Sequence, residues 1–209
     1  MPTTDEITTP DGIGRFNHLN RADGASIYWH PETGAHAIHG GIREKWGSLG
    51  WERGVGYPTT DEIATADGVG RFNHFDRGPL GPASIYHTPK LGAHLIYGGI
   101  RNRFMALGAE RVVGYPTTDE IATADGVGRF NHFDGGSLGP ASIYYTPSTD
   151  ARLVFGAIRS KWAEMGWEHS YLGYPVSEES EVNSLATQEF QGGWIEHERR
   201  TNRTEARRK

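Results

Sequence analysis

Two identical twenty-residue runs, at 57–76 and 115–134, both read YPTTDEIATADGVGRFNHFD, so this chain is built from repeats. A related run, PTTDEITTPDGIGRFNHLN, occupies 2–20. Each is followed by a second block that opens on Ala-Ser-Ile-Tyr, at 25–50, 83–108 and 141–166. Copies therefore start at Met1, Tyr57, Tyr115 and Tyr174, with pitches of 56, 58 and 59 residues. The fourth copy matches only the front half, through YPVSEE at 174–179 and EFQGGWIEH at 189–197. The period constrains the fold more than any other feature. A unit this short cannot bury its own apolar face, so neighbouring copies must bury one another's.

One copy reads as hairpin, strand, short helix and extended link. Arg71 to Phe75 alternates, with Phe72 and His74 on one face and Arg71, Asn73 and Phe75 on the other. Ser84 to His87 is the return strand and His94 to Tyr97 a third. Gly99 to Leu107 places Ile100, Phe104 and Leu107 at i, i+4 and i+7, a helical stripe, and Gly108 stands where a C-capping glycine belongs. The stripe recurs as Ile42, Trp46, Leu49 and as Ile158, Trp162, Met165. A nine-residue helix is marginal alone, and so is an isolated hairpin. The aromatic residue on each helix is therefore expected to plug the space between one hairpin and the next. The expected fold is mainly β with short helices: a compact, pseudo-symmetric, propeller-like array of about three and a half hairpin–strand–helix repeats. It forms one domain over residues 1–198, with copies at 1–56, 57–114, 115–173 and a partial 174–198. A basic, disordered tail follows at 199–209.

Composition removes several function classes. No apolar run approaches the roughly 18 residues that a membrane-spanning helix needs. Residues 1–30 lack the charged-then-apolar pattern of a secretion signal. The absence of cysteine excludes disulfides, thiol catalysis and cysteine-based zinc sites. The net charge is −5, and because residues 199–209 carry +5 the remainder stands at −10, which argues against a nucleic-acid partner. No nucleophile elbow and no His-Glu-x-x-His motif is present, so the expectation is a protein that is not an enzyme. Neither a metal nor a cofactor is expected. Asp67-Gly68-Val69-Gly70 reads as a turn, lacking the further carboxylates of a calcium loop.

The run Gly41-Ile42-Arg43-Glu44-Lys45-Trp46 with Gly50-Trp51-Glu52 returns as Gly156-Ala157-Ile158-Arg159-Ser160-Lys161-Trp162 with Gly166-Trp167-Glu168. The tetrapeptides Val55-Gly56-Tyr57-Pro58, Val113-Gly114-Tyr115-Pro116 and Leu172-Gly173-Tyr174-Pro175 follow these helices in register. Together they resemble the LGFP repeat family, with Tyr in place of its Phe. The resemblance covers nearly all of residues 2–197. It implies a non-catalytic, wall-anchoring module of exported actinobacterial cell-envelope proteins, often joined to a mycolyltransferase, amidase or peptidase domain. The implied partner is an envelope polysaccharide, and the implied location is extracellular or cell-wall associated.

The recurring polar residues divide into expected scaffold and expected site. Asp61 and Arg101 are read as a charge-assisted lock between copies, and His74, which shares its strand face with Phe72, as a hydrogen-bonded core histidine. Arg15, Asn17 and Tyr28, with Arg71, Asn73 and Tyr86 and with Arg129, Asn131 and Tyr144, are the ligand-binding candidates. Neutral glycans are held by planar polar groups that bond paired hydroxyls and by an aromatic face against the C–H surface of the sugar. The leading expectation is a carbohydrate-binding module with several equivalent sites. A protein-interaction scaffold is the alternative, and a cell-wall hydrolase is a weaker third. The partial fourth copy leaves open a homodimer that completes a ring.

Overall fold

The computed structural model describes residues 1–209. The first copy forms β1 (Ile7–Thr8), β2 (Arg15–Leu19), β3 (Ala25–His30), β4 (Gly34–His39), α1 (Gly40–Ser48) and α2 (Trp51–Gly54). The second forms β5 (Gly56–Pro58), β6 (Ile63–Ala64), β7 (Arg71–Arg77), β8 (Ala83–Thr88), β9 (Gly92–Tyr97), α3 (Gly98–Ala106) and α4 (Ala109–Val112). The third forms β10 (Gly114–Pro116), β11 (Ile121–Ala122), β12 (Arg129–Gly135), β13 (Ala141–Thr146), β14 (Asp150–Phe155), α5 (Gly156–Glu164) and a 3-10 turn at Trp167–His169. The fourth forms β15 (Ser180–Val182), β16 (Leu185–Phe190), β17 (Gly193–Glu198) and β18 (Arg203–Arg208). Each copy thus contributes one antiparallel sheet to a mainly β chain, for example β5-β7-β8-β9 with β6 also paired to β7. The chain divides into two compact units, Met1–Arg101 and Asn102–Lys209, rather than one domain and a tail.

The helical stripe does what its spacing dictates. Trp46 lies edge-on to Tyr28 of its own sheet at 4.6 Å and against Phe75 of the next sheet at 5.7 Å, and its Nε1 donates to Gly56 O at 3.1 Å. Trp162 repeats this with Tyr144 at 4.7 Å and Phe190 at 5.3 Å. Phe104 stacks on Phe133 at 5.2 Å. Each plug is fully buried, so the two cores, one around Trp46 and one around Trp162, are built from a helix held between two sheets.

Three features depart from the sequence reading. The link after each helix is not extended. Gly50, Gly108 and Gly166 take positive φ of 91°, 99° and 95°, and the chain then turns into α2, α4 and the 3-10 turn. The fourth copy is a complete four-stranded sheet. Residues 199–209 are not a disordered tail, because Arg203–Arg208 is β18, paired with β17 along its length. Its charges are matched: Arg207 meets Glu196 at 2.8 Å and Glu205 at 3.0 Å, Arg203 meets Glu205, and Arg199 meets Glu181 at 2.8 Å. Ala206 packs against the core around Trp162. Cross-strand charge pairing and an open strand edge outweigh the self-repulsion that composition alone suggests.

Candidate functional site

The nine candidate residues do not form three equal clusters. Register settles the tyrosines. Phe72 lies opposite Tyr86, and Asn73 lies opposite Ile85. Directly opposed residues share a face, so Tyr86 is on the other face from Arg71 and Asn73. Tyr86 is 2 % exposed and stacks on Phe72 at 5.0 Å. Tyr28 and Tyr144 are equally buried, on Phe16 at 4.9 Å and Phe130 at 4.8 Å. All three are core residues, which corrects their reading as sugar platforms.

The asparagines are also drawn inward. Asn73 is fully buried, and its Nδ2 donates to Thr60 O at 2.8 Å and to Ala37 O of the preceding copy at 3.3 Å. Asn131 Nδ2 donates to Thr118 O at 2.9 Å, and Asn17 Nδ2 to Thr4 O at 3.1 Å. In the fourth copy Gln188 takes the role, bonding Ser177 O at 2.9 Å and Leu153 O at 2.8 Å. The Asn73 and Gln188 amides clasp one copy to the next, and the Asn131 and Asn17 amides brace the turn of their own copies.

The expected Asp–Arg lock is split between two separate contacts. Asp61 Oδ1 accepts from Ala37 N at 2.8 Å and does bind the preceding copy. Arg101 binds its own sheet instead, with Nε donating to Ser84 Oγ at 2.6 Å. Ser84 Oγ also meets His74 Nδ1 at 2.8 Å. The same trio recurs as Arg43–Ser26–His18 and Arg159–Ser142–His132. Burial, then the neighbouring guanidinium, pushes His74 and His132 down to about 4, so both are neutral at pH 7. The fully buried Ser has no route to a substrate, and the trio fastens each helix to its sheet.

A second lock lies in the most repetitive sequence. Tyr57 of the Gly-Tyr-Pro strand enters the Thr9–Gly14 turn of the preceding copy. Its hydroxyl donates to Asp11 Oδ2 at 2.6 Å, meets Thr9 Oγ1 at 2.8 Å and accepts from Gly14 N at 3.2 Å. Tyr174 enters the Thr123–Gly128 turn, reaching Asp125 Oδ1 at 2.7 Å and Thr123 Oγ1 at 2.8 Å. Burial and the Asp125 carboxylate together push Tyr174 up to about 12. A Cβ at Gly14 would collide with the Tyr57 ring, and one at Gly128 would come within 2.7 Å of Tyr174 Cε1. The Gly-Tyr-Pro and Asp-Gly-x-Gly motifs are therefore two halves of one joint. Asp67 plays the turn role expected of it, accepting from Val69 N at 2.9 Å and Thr65 Oγ1 at 2.7 Å. No group of three or more His, Asp or Glu side chains is placed to hold a metal ion.

What recurs and stays exposed is Arg15, Arg71 and Arg129. Each guanidinium is held by a carboxylate from the adjacent segment: Glu6 at 3.3 Å, Glu62 at 3.5 Å and Glu120 at 2.5 Å. The Glu62 and Glu120 side chains are only 6 % and 4 % exposed, so they anchor the arginines from beneath. The ring opposite each Arg in the register is Trp29, His87 or Tyr145, one residue beyond the buried tyrosine. Sequence alternation held this signal, but the tyrosine beside it was the more regular residue. In the first unit His87 borders an open groove of about 360 Å3, with Glu44, Lys45 and Ser48 of α1 on its other side. A guanidinium, an anchored carboxylate and an aromatic edge on one surface row can bond vicinal hydroxyls and pack on a C–H face.

Comparison with known proteins agrees with the repeat structure. No curated protein matches the chain. Among solved structures, a Bacteroides uniformis protein named as a 6-phosphogluconolactonase aligns at 12 % identity with a TM-score of 0.20. That alignment covers 96 % of this chain and 52 % of that one, so the chain spans about half of its length, and at that score it bears on neither fold nor activity. The LGFP repeat model matches three times, at residues 1–54, 55–111 and 113–170. Three matched copies with one shared joint and one shared helix plug place this chain in the LGFP repeat family, a repeat module of cell-envelope proteins.

Proposed function

We propose that this chain is a non-catalytic, multivalent module that binds cell-envelope polysaccharide outside the cell. Three separate pairs, Arg15 with Trp29, Arg71 with His87, and Arg129 with Tyr145, would each hold glycan. The carrying observation is the sorting of the repeated residues. The recurring tyrosines and most of the amides are buried in packing, whereas the three arginines recur at the surface, each opposite an aromatic ring. Weak sites repeated on one chain gain avidity on a polymer.

A scaffold reading draws on the pairs Ile63 with Val69 and Ile121 with Val127, which stand exposed on successive copies. One experiment separates the two. Retention is measured on insoluble arabinogalactan–peptidoglycan, on plain peptidoglycan and on chitin, at low salt and at about 0.5 M salt, where exposed charges are screened. The binding module predicts retention at high salt on one polymer, competed by its soluble fragments and lost in the Arg71→Ala, Arg129→Ala double variant while circular dichroism shows the fold retained. Absence of retention on every polymer refutes it in favour of the scaffold. Release of soluble fragments from the polymer refutes the non-catalytic reading.

A further inference from the structure

The first sheet carries a face that the later sheets cover. Ile85, Ile143 and Ile195 stand at one register position in the second, third and fourth sheets, and all three are 0 % exposed. In these sheets the position before the turn is Phe75, Phe133 or Phe190, each packed against a helix plug, Trp46, Phe104 or Trp162. The same positions in the first sheet are Ile27, 39 % exposed, and Leu19, with Trp29 beside them at 42 %.

The polar grips on that face are also set and unused. In the second sheet Asp61 accepts the N–H of Ala37 and Asn73 donates to its carbonyl, so one residue of an incoming strand is held at both backbone groups. In the first sheet the equivalents are Asp5 and Asn17. Asp5 makes no side-chain bond, and Asn17 makes only its inner bond, to Thr4 O. On the fourth sheet the charged residues Glu196, Glu198, Arg203, Glu205 and Arg207 stand on the face opposite Ile195. On the first sheet Leu19, Ile27 and Trp29 stay exposed or half-buried beside the Arg15–Glu6 ion pair, at 3.3 Å.

We propose that this face is a docking site for a strand–Gly–helix segment of the same repeat class. The segment runs from one edge-strand residue, held by Asp5 and Asn17, to an aromatic residue nine positions later that packs on Leu19 and Ile27. That is the spacing from Ala37 to Trp46 and from Leu153 to Trp162, the segments seated on the second and fourth sheets. A second copy of this chain is not the occupant, because these segments are already engaged inside its own chain. The recognition combines edge-strand backbone capture with a helix laid in an apolar groove.

The test is titration of the full chain with a synthetic peptide of residues 92–108. That peptide carries the strand, the glycines and the Phe plug but no tryptophan, so indole emission reports on the protein alone. The expected result is saturable binding with a blue shift as Trp29 is covered. Ile27→Asp should abolish it, and Asp5→Ala should weaken it about tenfold, the loss of one hydrogen bond to a charged group. Circular dichroism checks that each variant is folded. If Ile27→Asp does not fold, the exposed Asp5→Ala variant carries the test. No saturation at millimolar peptide, equal binding by a scrambled peptide, or binding unchanged in both variants overturns the proposal. Self-association that Ile27→Asp relieves overturns it in favour of a second copy.

Discussion

Removing one hydroxyl tests whether the repeated motifs are joints. In Tyr57→Phe the ring still packs against His30, 4.6 Å between centroids, and no sizeable cavity opens. Gly14 N keeps Thr9 Oγ1 at 2.8 Å, and Asp11 keeps Ile13 N at 3.0 Å. Because Thr9 and Gly14 keep other partners, the main loss is one O–H···O⁻ bond of 2.6 Å, from Tyr57 to Asp11. Such bonds contribute roughly 1.5–3 kcal/mol. Asp11 is open to water on one side, which moves the value to the low end, about 1.5 kcal/mol. The assay is urea unfolding of the wild type, Tyr57→Phe, Asp11→Ala and the double variant. The expected coupling energy is about 1 kcal/mol, with unchanged dependence on urea. Because the joint closes within the first unit, protection of the Gly14 amide from hydrogen exchange should fall in step. Additive single variants, or a Tyr57→Phe loss below about 0.5 kcal/mol, would refute the joint and return the motif to the list of ligand candidates.

Four further outcomes follow from the same contacts. His74 and His132 titrate at about 4 when folded against an ordinary 6.5, so the unfolded chain gains protons first. Stability is full above pH 6.5 and drains as pH falls toward 4, by about 3 kcal/mol per ring at full burial and roughly 1–2 after solvent screening. A His74→Gln, His132→Gln variant should show a flatter stability profile between pH 7 and 4.5, and an unchanged slope would count against the trio. Deleting residues 199–209 removes β18 and the cover of Ala206, so thermal melting should drop by several degrees, whereas a disordered tail would leave it unchanged. Trp162→Ala should cost about 3–5 kcal/mol in chemical denaturation, because a fully buried plug between two sheets leaves a cavity. Gly128→Ala should cost about 1–3 kcal/mol by overpacking against Tyr174, and the Gly128→Ala, Tyr174→Leu pair should recover part of that loss.

Much of the fold was legible without coordinates, and for identifiable reasons. Identical runs spaced by 58 residues can only be one structural unit used again. The alternation from Arg71 to Phe75 and the spacing of Ile100, Phe104 and Leu107 follow from the periods of strand and helix, and Gly108 is the residue with least strain at a positive φ. Even the need for a plug between sheets followed from the marginal stability of a nine-residue helix.

Only the tertiary structure decided which repeated residues are scaffold. Tyr86 and His87 are neighbours in sequence, but strand geometry sends one into the core and the other to the rim of a groove. Asn73 looks like a sugar ligand by residue type, yet its amide is consumed by two backbone carbonyls, one from the preceding copy. Pairing between Tyr57 and Asp11, 46 residues apart, leaves no local trace that distinguishes a joint from a binding motif. The final basic segment shows the limit most clearly. Its net charge says solvated, but Arg207 reaches Glu196 diagonally across the strands, and that neighbour is set by the register of β17 and β18. Local sequence fixes periodicity and conformational preference, whereas exposure, and with it function, depends on which copy lies against which face.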